Sequence, residues 1–223
     1  MNGSPIIRVV IVDDHSILRA SLCRLLDAQE GIEVVAEIGS TTDLCLGMDG
    51  LRAVLFILGC HVPGYDPTGD ILQILNHDPD ASVLVLTAFE KDSTLSLILN
   101  SGAVGTLPLT LEPESLFDAL RRVARGETLY TRSQLARARR WCEEIEKLWL
   151  SLTERERSTA ICLARGLDNQ QIAGEFGVSL RTVETYVTHA MGKLHVNSRL
   201  EAAVWIRDHL PEVWWRYADQ ATA

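Results

Sequence analysis

Along the first 125 positions, apolar residues fall into short runs rich in β-branched side chains, each followed by a stretch whose apolar positions repeat at helical spacing. The first run covers residues 6–12; Asp13 and Asp14 follow, then a helical pattern through Leu18, Leu22, Leu25 and Leu26 that Gly31 ends. Similar runs recur at 32–38, 53–58, 82–87 and 104–107. Five such β-α repeats predict a doubly wound α/β domain with five parallel strands, because parallel strands need helical crossovers. Sites in such sheets form at the carboxyl ends of the strands. Those ends are Asp13-Asp14, Gly59-Cys60, Thr87-Ala88 and Pro108-Leu109.

The pattern then changes. Residues 133–150 read as one helix, and Leu135, Ala138, Cys142, Ile145, Trp149 and Leu152 step along it at heptad spacing. Such a stripe fits a short coiled coil, or equally a linker helix lying on its own first domain. Beyond it the sequence is all helical. Thr153 caps a helix with Glu156 at the capping-box position, and 169–176 makes a second helix closed by Gly177. Ser179 caps a third helix, which buries Val183, Val187, Ala190 or Met191, and Leu194 and leaves Arg181, Glu184, Thr185 and Thr188 outside. Helix, tight turn, helix is the geometry that places a recognition helix in the major groove of DNA. A fourth helix runs over 199–209 and stops before Pro211. The aromatics Trp214, Trp215 and Tyr217 beyond it are expected to pack, on the linker helix near Trp141 and Trp149, on the fourth helix, or on a second subunit.

Charge supports a division into two domains. Residues 1–125 hold 8 basic and 17 acidic side chains, whereas 151–210 hold 7 of each. Apolar runs stay well short of the roughly 18 residues a bilayer span needs, so no membrane association is expected and the cytoplasm is the expected location. The cysteines Cys23, Cys45, Cys60, Cys142 and Cys162 show no CxxC spacing and read as small apolar residues. With no nucleophile–base pair, glycine-rich phosphate loop or metal cluster, neither an enzyme, a cofactor nor a bound metal is expected.

Several segments resemble a known family. VVIVDDHSILRASLCRLLD, the VPG at 62–64, VLVLTAF at 83–89, GAVG at 102–105 and ARGE at 124–127 look like a receiver of the flavodoxin-like fold. The stretch from LTERERS to EAAVWI looks like the LuxR-type four-helix DNA-binding domain. Together they resemble a NarL/FixJ-type response regulator: a receiver over 1–126, a helical linker over 127–150 and a helix-turn-helix domain with an aromatic tail over 151–223.

A receiver that accepts phosphate uses a carboxylate nucleophile, an acidic pair for Mg²⁺, a hydroxyl and a lysine. The resemblance assigns the acidic pair to Asp13 and Asp14 and the hydroxyl to Thr87. It places the nucleophile at Gly59, the lysine at Leu109 and the aromatic switch at Thr106, so three linked parts are missing. His61 and Cys60 stand beside the vacant position, but one His and one Cys do not make a metal or redox site. The resemblance further implies a DNA interface of Ser179, Arg181, Thr182, Glu184, Thr185, Thr188, His189, Lys193 and Arg199. The expected function is a DNA-binding regulator whose receiver is atypical, acting on double-stranded promoter DNA as a homodimer, with a protein partner or sensor at the receiver. Two other readings stay open: a decoy that pairs with another regulator without reading DNA, and a regulator phosphorylated at an unusual acceptor.

Overall fold

The computed structural model describes residues 6–40, 55–61, 66–88, 90–211 and 213–216, which divide into two compact units, one up to Leu135 and one from Ala136. In the first unit, β1 (Ile7–Val12), β2 (Ile32–Ile38), β3 (Leu55–Cys60), β4 (Ser82–Thr87) and β5 (Gly105–Pro108) form one parallel sheet in the order β2-β1-β3-β4-β5. Among the described residues, four helices flank it: α1 (Ser16–Asp27), α2 (Thr68–His77), α3 (Asp92–Asn100) and α4 (Pro113–Val123).

Why the strands read as unbroken apolar runs is visible in the two faces of the sheet. Val10, Val12, Phe56, Leu58, Val83 and Val85 point to one side, against Ile71 and Ile74 of α2 and Ile98 of α3. Their alternates Val9, Ile11, Leu55, Ile57, Leu84 and Leu86 point to the other, against Leu22 and Leu26 of α1 and Leu116, Phe117 and Leu120 of α4. A strand covered on both faces needs apolar residues at every position. The third strand continues two residues beyond the expected 53–58, because Gly59 and Cys60 keep pairing with Leu86 and Thr87.

The second unit is helical: α6 (Glu154–Arg165), α7 (Asn169–Phe176), α8 (Leu180–Lys193), α9 (Arg199–His209) and a last turn, α10 (Val213–Arg216). The linker helix α5 (Arg132–Arg140) crosses the division between the units and continues as a π-helical stretch, Trp141–Glu146, and a final turn, Lys147–Ser151. The expected capping box is present, with Thr153 and Glu156 bonding reciprocally, and a second one joins Asp168 to Gln171. Gly166 and Gly177 end α6 and α7 in the left-handed conformation, at φ 86° and 65°, which a side chain would resist.

The later part of the apolar stripe of the linker helix packs inside the helical unit. Ala138, Trp149 and Leu152 are buried within the chain, and Trp149 and Leu152 pack with Ala160 of α6, Ala190 and Leu194 near the end of α8, and Ile206 and Leu210 around α9. From Cys142 on, the stripe is therefore taken up by the core of the helical unit, whereas Leu135 at its start stays exposed. Trp141, which lies off the heptad, is buried in the same cluster and donates from Nε1 to the carbonyl of His209 at 2.7 Å. The π-helical stretch, with its wider i→i+5 turn, begins at this residue and shifts which side chains share a face. The aromatic tail packs as expected, on both of its intrachain candidates: Trp214 meets Trp141 at a ring separation of 6.1 Å, and Arg207 of α9 stacks over Trp215 at 5.5 Å. Tyr217 lies outside the described residues.

Candidate functional site

Strand register assembles the carboxyl edge of the sheet. Val12 pairs with Leu58 in the β1–β3 ladder, so Asp13, one residue on, comes beside Gly59. Cys60 pairs with Thr87, Thr87 pairs with Pro108, and the amide of Leu109 donates to the Thr87 carbonyl at 2.9 Å. Asp13, Gly59, Thr87 and Leu109 are thus brought together along one edge. Thr106 pairs with Val85 instead, buried within the sheet, and its hydroxyl has no partner among the described residues.

Asp13 is almost completely buried. Its Oδ1 accepts from the backbone N–H of His15 at 2.8 Å, and its Oδ2 lies 2.8 Å from Nε2 of His61. Arg19 donates to its carbonyl. Burial pushes the Asp13 carboxyl up, but hydrogen bonds from His61 and the His15 amide, with the charge of His61, hold it below the usual aspartate value. Asp14 is exposed and meets Nδ1 of His15 at 2.7 Å. Asp13, Asp14 and His15 offer ligand atoms within 4.8 Å of one another.

The space beside Gly59, where the resemblance puts the nucleophile, is filled by neighbouring side chains. A Cβ built there would fall 2.1 Å from Asp13 Oδ2 and 2.8 Å from His61 Nε2. His61 is the residue the sequence reading set aside, and its side chain is only 6% exposed. A histidine two positions past the place where the resemblance puts the nucleophile was the available signal. Burial, with the charges of Asp66 and Asp70, outweighs a hydrogen bond from Thr87 and pushes the thiol of its neighbour Cys60 up to about 11, which disfavours the thiolate at neutral pH.

In the helical unit, α8 buries Val183, Ala190 and Leu194, half-buries Val187 and Met191, and turns Arg181, Glu184, Thr185, Thr188 and His189 outward. Ser179 is its N-cap, accepting from the Thr182 amide at 3.2 Å and bonding the Thr182 hydroxyl at 2.8 Å. The hydroxyls of Thr185 and Thr188 donate back to the carbonyls of Arg181 and Glu184. With those protons engaged, the two threonines present methyl groups and acceptor oxygens, suited to a thymine methyl or an amino group.

Two of the expected DNA contacts are tied into the domain itself. Lys193 donates to Glu156 Oε2 at 2.6 Å and to the Ser151 carbonyl at 3.1 Å, while Arg199 donates to Asn169 Oδ1 at 2.8 Å. Glu156 is buried, which pushes its carboxyl up, yet Lys193 and the Thr153 cap outweigh this and hold it below the usual value. Arg181 is exposed and pairs with no carboxylate among the described residues.

Comparison with known proteins identifies both units. Residues 9–121 match the response regulator receiver domain, and residues 150–206 match the bacterial regulatory proteins of the luxR family. Response regulator protein VraR of Staphylococcus aureus is 30% identical over 203 residues, covering 91% of this chain and 97% of VraR. Among solved structures, RcsB of Salmonella enterica serovar Typhimurium, bound to a promoter in the presence of the phosphomimetic BeF3⁻, aligns at a TM-score of 0.61 and 25% identity, covering 90% of this chain and 98% of that one. The response regulator ChrA of a heme-sensing two-component system aligns at 0.52 and 28% identity, covering 92% and 97%.

Proposed function

The chain belongs to the DNA-binding response regulators that join a receiver to a LuxR-type helix-turn-helix domain, and from that premise we propose a transcription regulator whose receiver is not switched by aspartyl phosphorylation. The family is one of transcription factors, not enzymes. The observation that carries the proposal is the Gly59 position: it has no carboxylate to attack phosphorus, and the Asp13 carboxylate with His61 stands where such a side chain would go. Leu109 offers no cation for a phosphoryl group, and Thr106 no aromatic lever.

In this reading the receiver serves as a dimerisation or partner-docking module. An apolar pocket of about 350 Å³ between α1 and the start of α4, lined by Leu18, Leu22, Leu25, Leu109 and Leu116, supports that role. Ile17, 83% exposed on the same helix, adds an apolar knob to it. A knob and a hole on one helix suit a two-fold contact between copies.

DNA is read from Ser179, Arg181, Thr182, Glu184, Thr185, Thr188 and His189, with Lys193 and Arg199 holding the domain's shape as much as touching phosphate. Few unpaired cations make a single domain a weak binder, so two domains on two half-sites are required. The domain division follows the reading of receiver to 126, linker to 150 and DNA-binding domain beyond, in the cytoplasm. Selection from random duplex DNA by the purified full chain, with no phosphodonor, tests the proposal. Enrichment of a motif with two half-sites supports it; enrichment of no sequence points to a decoy.

A further inference from the structure

In a receiver the acidic pair holds Mg²⁺ together with the phosphoacceptor carboxylate. The residues here do not fit that ion. Mg²⁺ requires oxygen ligands at about 2.0–2.1 Å in near-octahedral geometry. Gly59 supplies no oxygen from its side chain, and an imidazole nitrogen sits 2.8 Å from Asp13 Oδ2, on an oxygen the cation would need. Asp14, the other member of the pair, faces solvent and is engaged by His15 at 2.7 Å.

We infer that His61 is a built-in replacement for the divalent cation: its imidazole permanently occupies the Asp13 carboxylate and keeps Mg²⁺ off the acidic pair. Three observations converge on it. The first is burial, since the side chains of Asp13 and His61 are 1% and 6% exposed and so form a fixed internal pair, unlike a surface contact. The second is that a buried carboxylate needs a partner, and His61 together with the His15 amide supplies both oxygens of Asp13 with donors. The third is steric. A Cβ at residue 59 would lie 2.1 Å from Asp13 Oδ2 and 2.8 Å from His61 Nε2, so a side chain at 59 and the present positions of Asp13 and His61 exclude one another. His61 acts here as a positioning residue, holding Asp13 in the space of the lost nucleophile.

The inference rests on the proposed reading of the receiver, but its test measures cation binding, not phosphorylation, so either can fail alone. Full-length protein, Gly59→Asp, His61→Ala and the double variant are titrated with MgCl₂ by calorimetry, and their thermal midpoints are compared with and without millimolar Mg²⁺. Circular dichroism checks that each is folded. The original chain and Gly59→Asp are expected to give no binding heat and no shift. The double variant, with three carboxylates and without the His61 imidazole, is expected to bind one Mg²⁺ and to rise in midpoint. If His61→Ala prevents folding, His61→Asn in the same background, whose shorter amide stops short of Asp13, takes its place. One-to-one Mg²⁺ binding by the original chain overturns the inference, as does a folded double variant blind to Mg²⁺.

Discussion

Oδ2 of Asp13 lies 2.1 Å from where a Cβ on Gly59 would stand, closer than a Cβ approaches any non-bonded atom. A carboxylate cannot therefore be restored at 59 by substitution alone, because Asp13 and His61 must first give way. Gly59→Asp is expected to lower stability by about 1–3 kcal/mol through overpacking. Its DNA affinity is expected to be the same with and without a phosphodonor, since Leu109 and Thr106 still lack the remaining parts of a switch. Denaturant unfolding and DNA titration check both, and a phosphodonor-dependent change of about tenfold, 1.4 kcal/mol, counts against the account.

Glu156 and Lys193 form the second buried relationship with a measurable consequence. The Glu156 carboxyl is held below its ordinary value, so the stability it contributes is present above the ordinary glutamate range and is lost as pH falls through the lower folded value. Lys193→Met removes the partner and leaves a buried carboxylate, at a cost of about 1–3 kcal/mol at neutral pH. The acid limb of the stability profile should move to higher pH in the variant. Identical profiles for the two proteins would show that the bond at 2.6 Å is energetically idle.

Gly192 sits inside α8 with nothing within 4 Å of an added Cβ. Gly192→Ala is expected to raise stability by about 1 kcal/mol, the helix-interior difference between the two residues. Urea midpoints report it, and a loss of stability would mean that the helix needs the freedom of glycine there.

How much of this could be read in advance differs between the two units. The five strands and the helix caps at Thr153 and Ser179 were legible because burial on both faces and capping chemistry leave local marks. The face of the linker helix was not. A heptad stripe says that a surface is covered, not by what, and here α6, α8 and α9 cover it within the chain. Trp141 fell outside the heptad stripe because the π-helical stretch displaces the burial face from α-helical spacing. Likewise, His61 and Asp13 are 48 residues apart, and their meeting depends on the register that puts Val12 against Leu58. The bond of Lys193 to Glu156, across 37 residues, also leaves no trace in the sequence.

The tail offers a test of that packing. Deleting everything after residue 212 removes the Trp214 ring from Trp141 and the Trp215 ring from Arg207. The expected outcome is loss of blue-shifted tryptophan emission and of about 3 kcal/mol of stability, with mass in solution unchanged. A change in oligomeric mass without a change in emission would assign the tail to an interface between copies.

The claim that this receiver works without aspartyl phosphorylation is tested most directly by intact mass. The full chain is incubated with a small phosphodonor and Mg²⁺, then weighed before and after hydroxylamine. The account predicts an unmodified mass throughout, because Gly59 leaves no carboxylate at the third strand end. A stoichiometric gain of one phosphoryl group, removed by hydroxylamine, would contradict it.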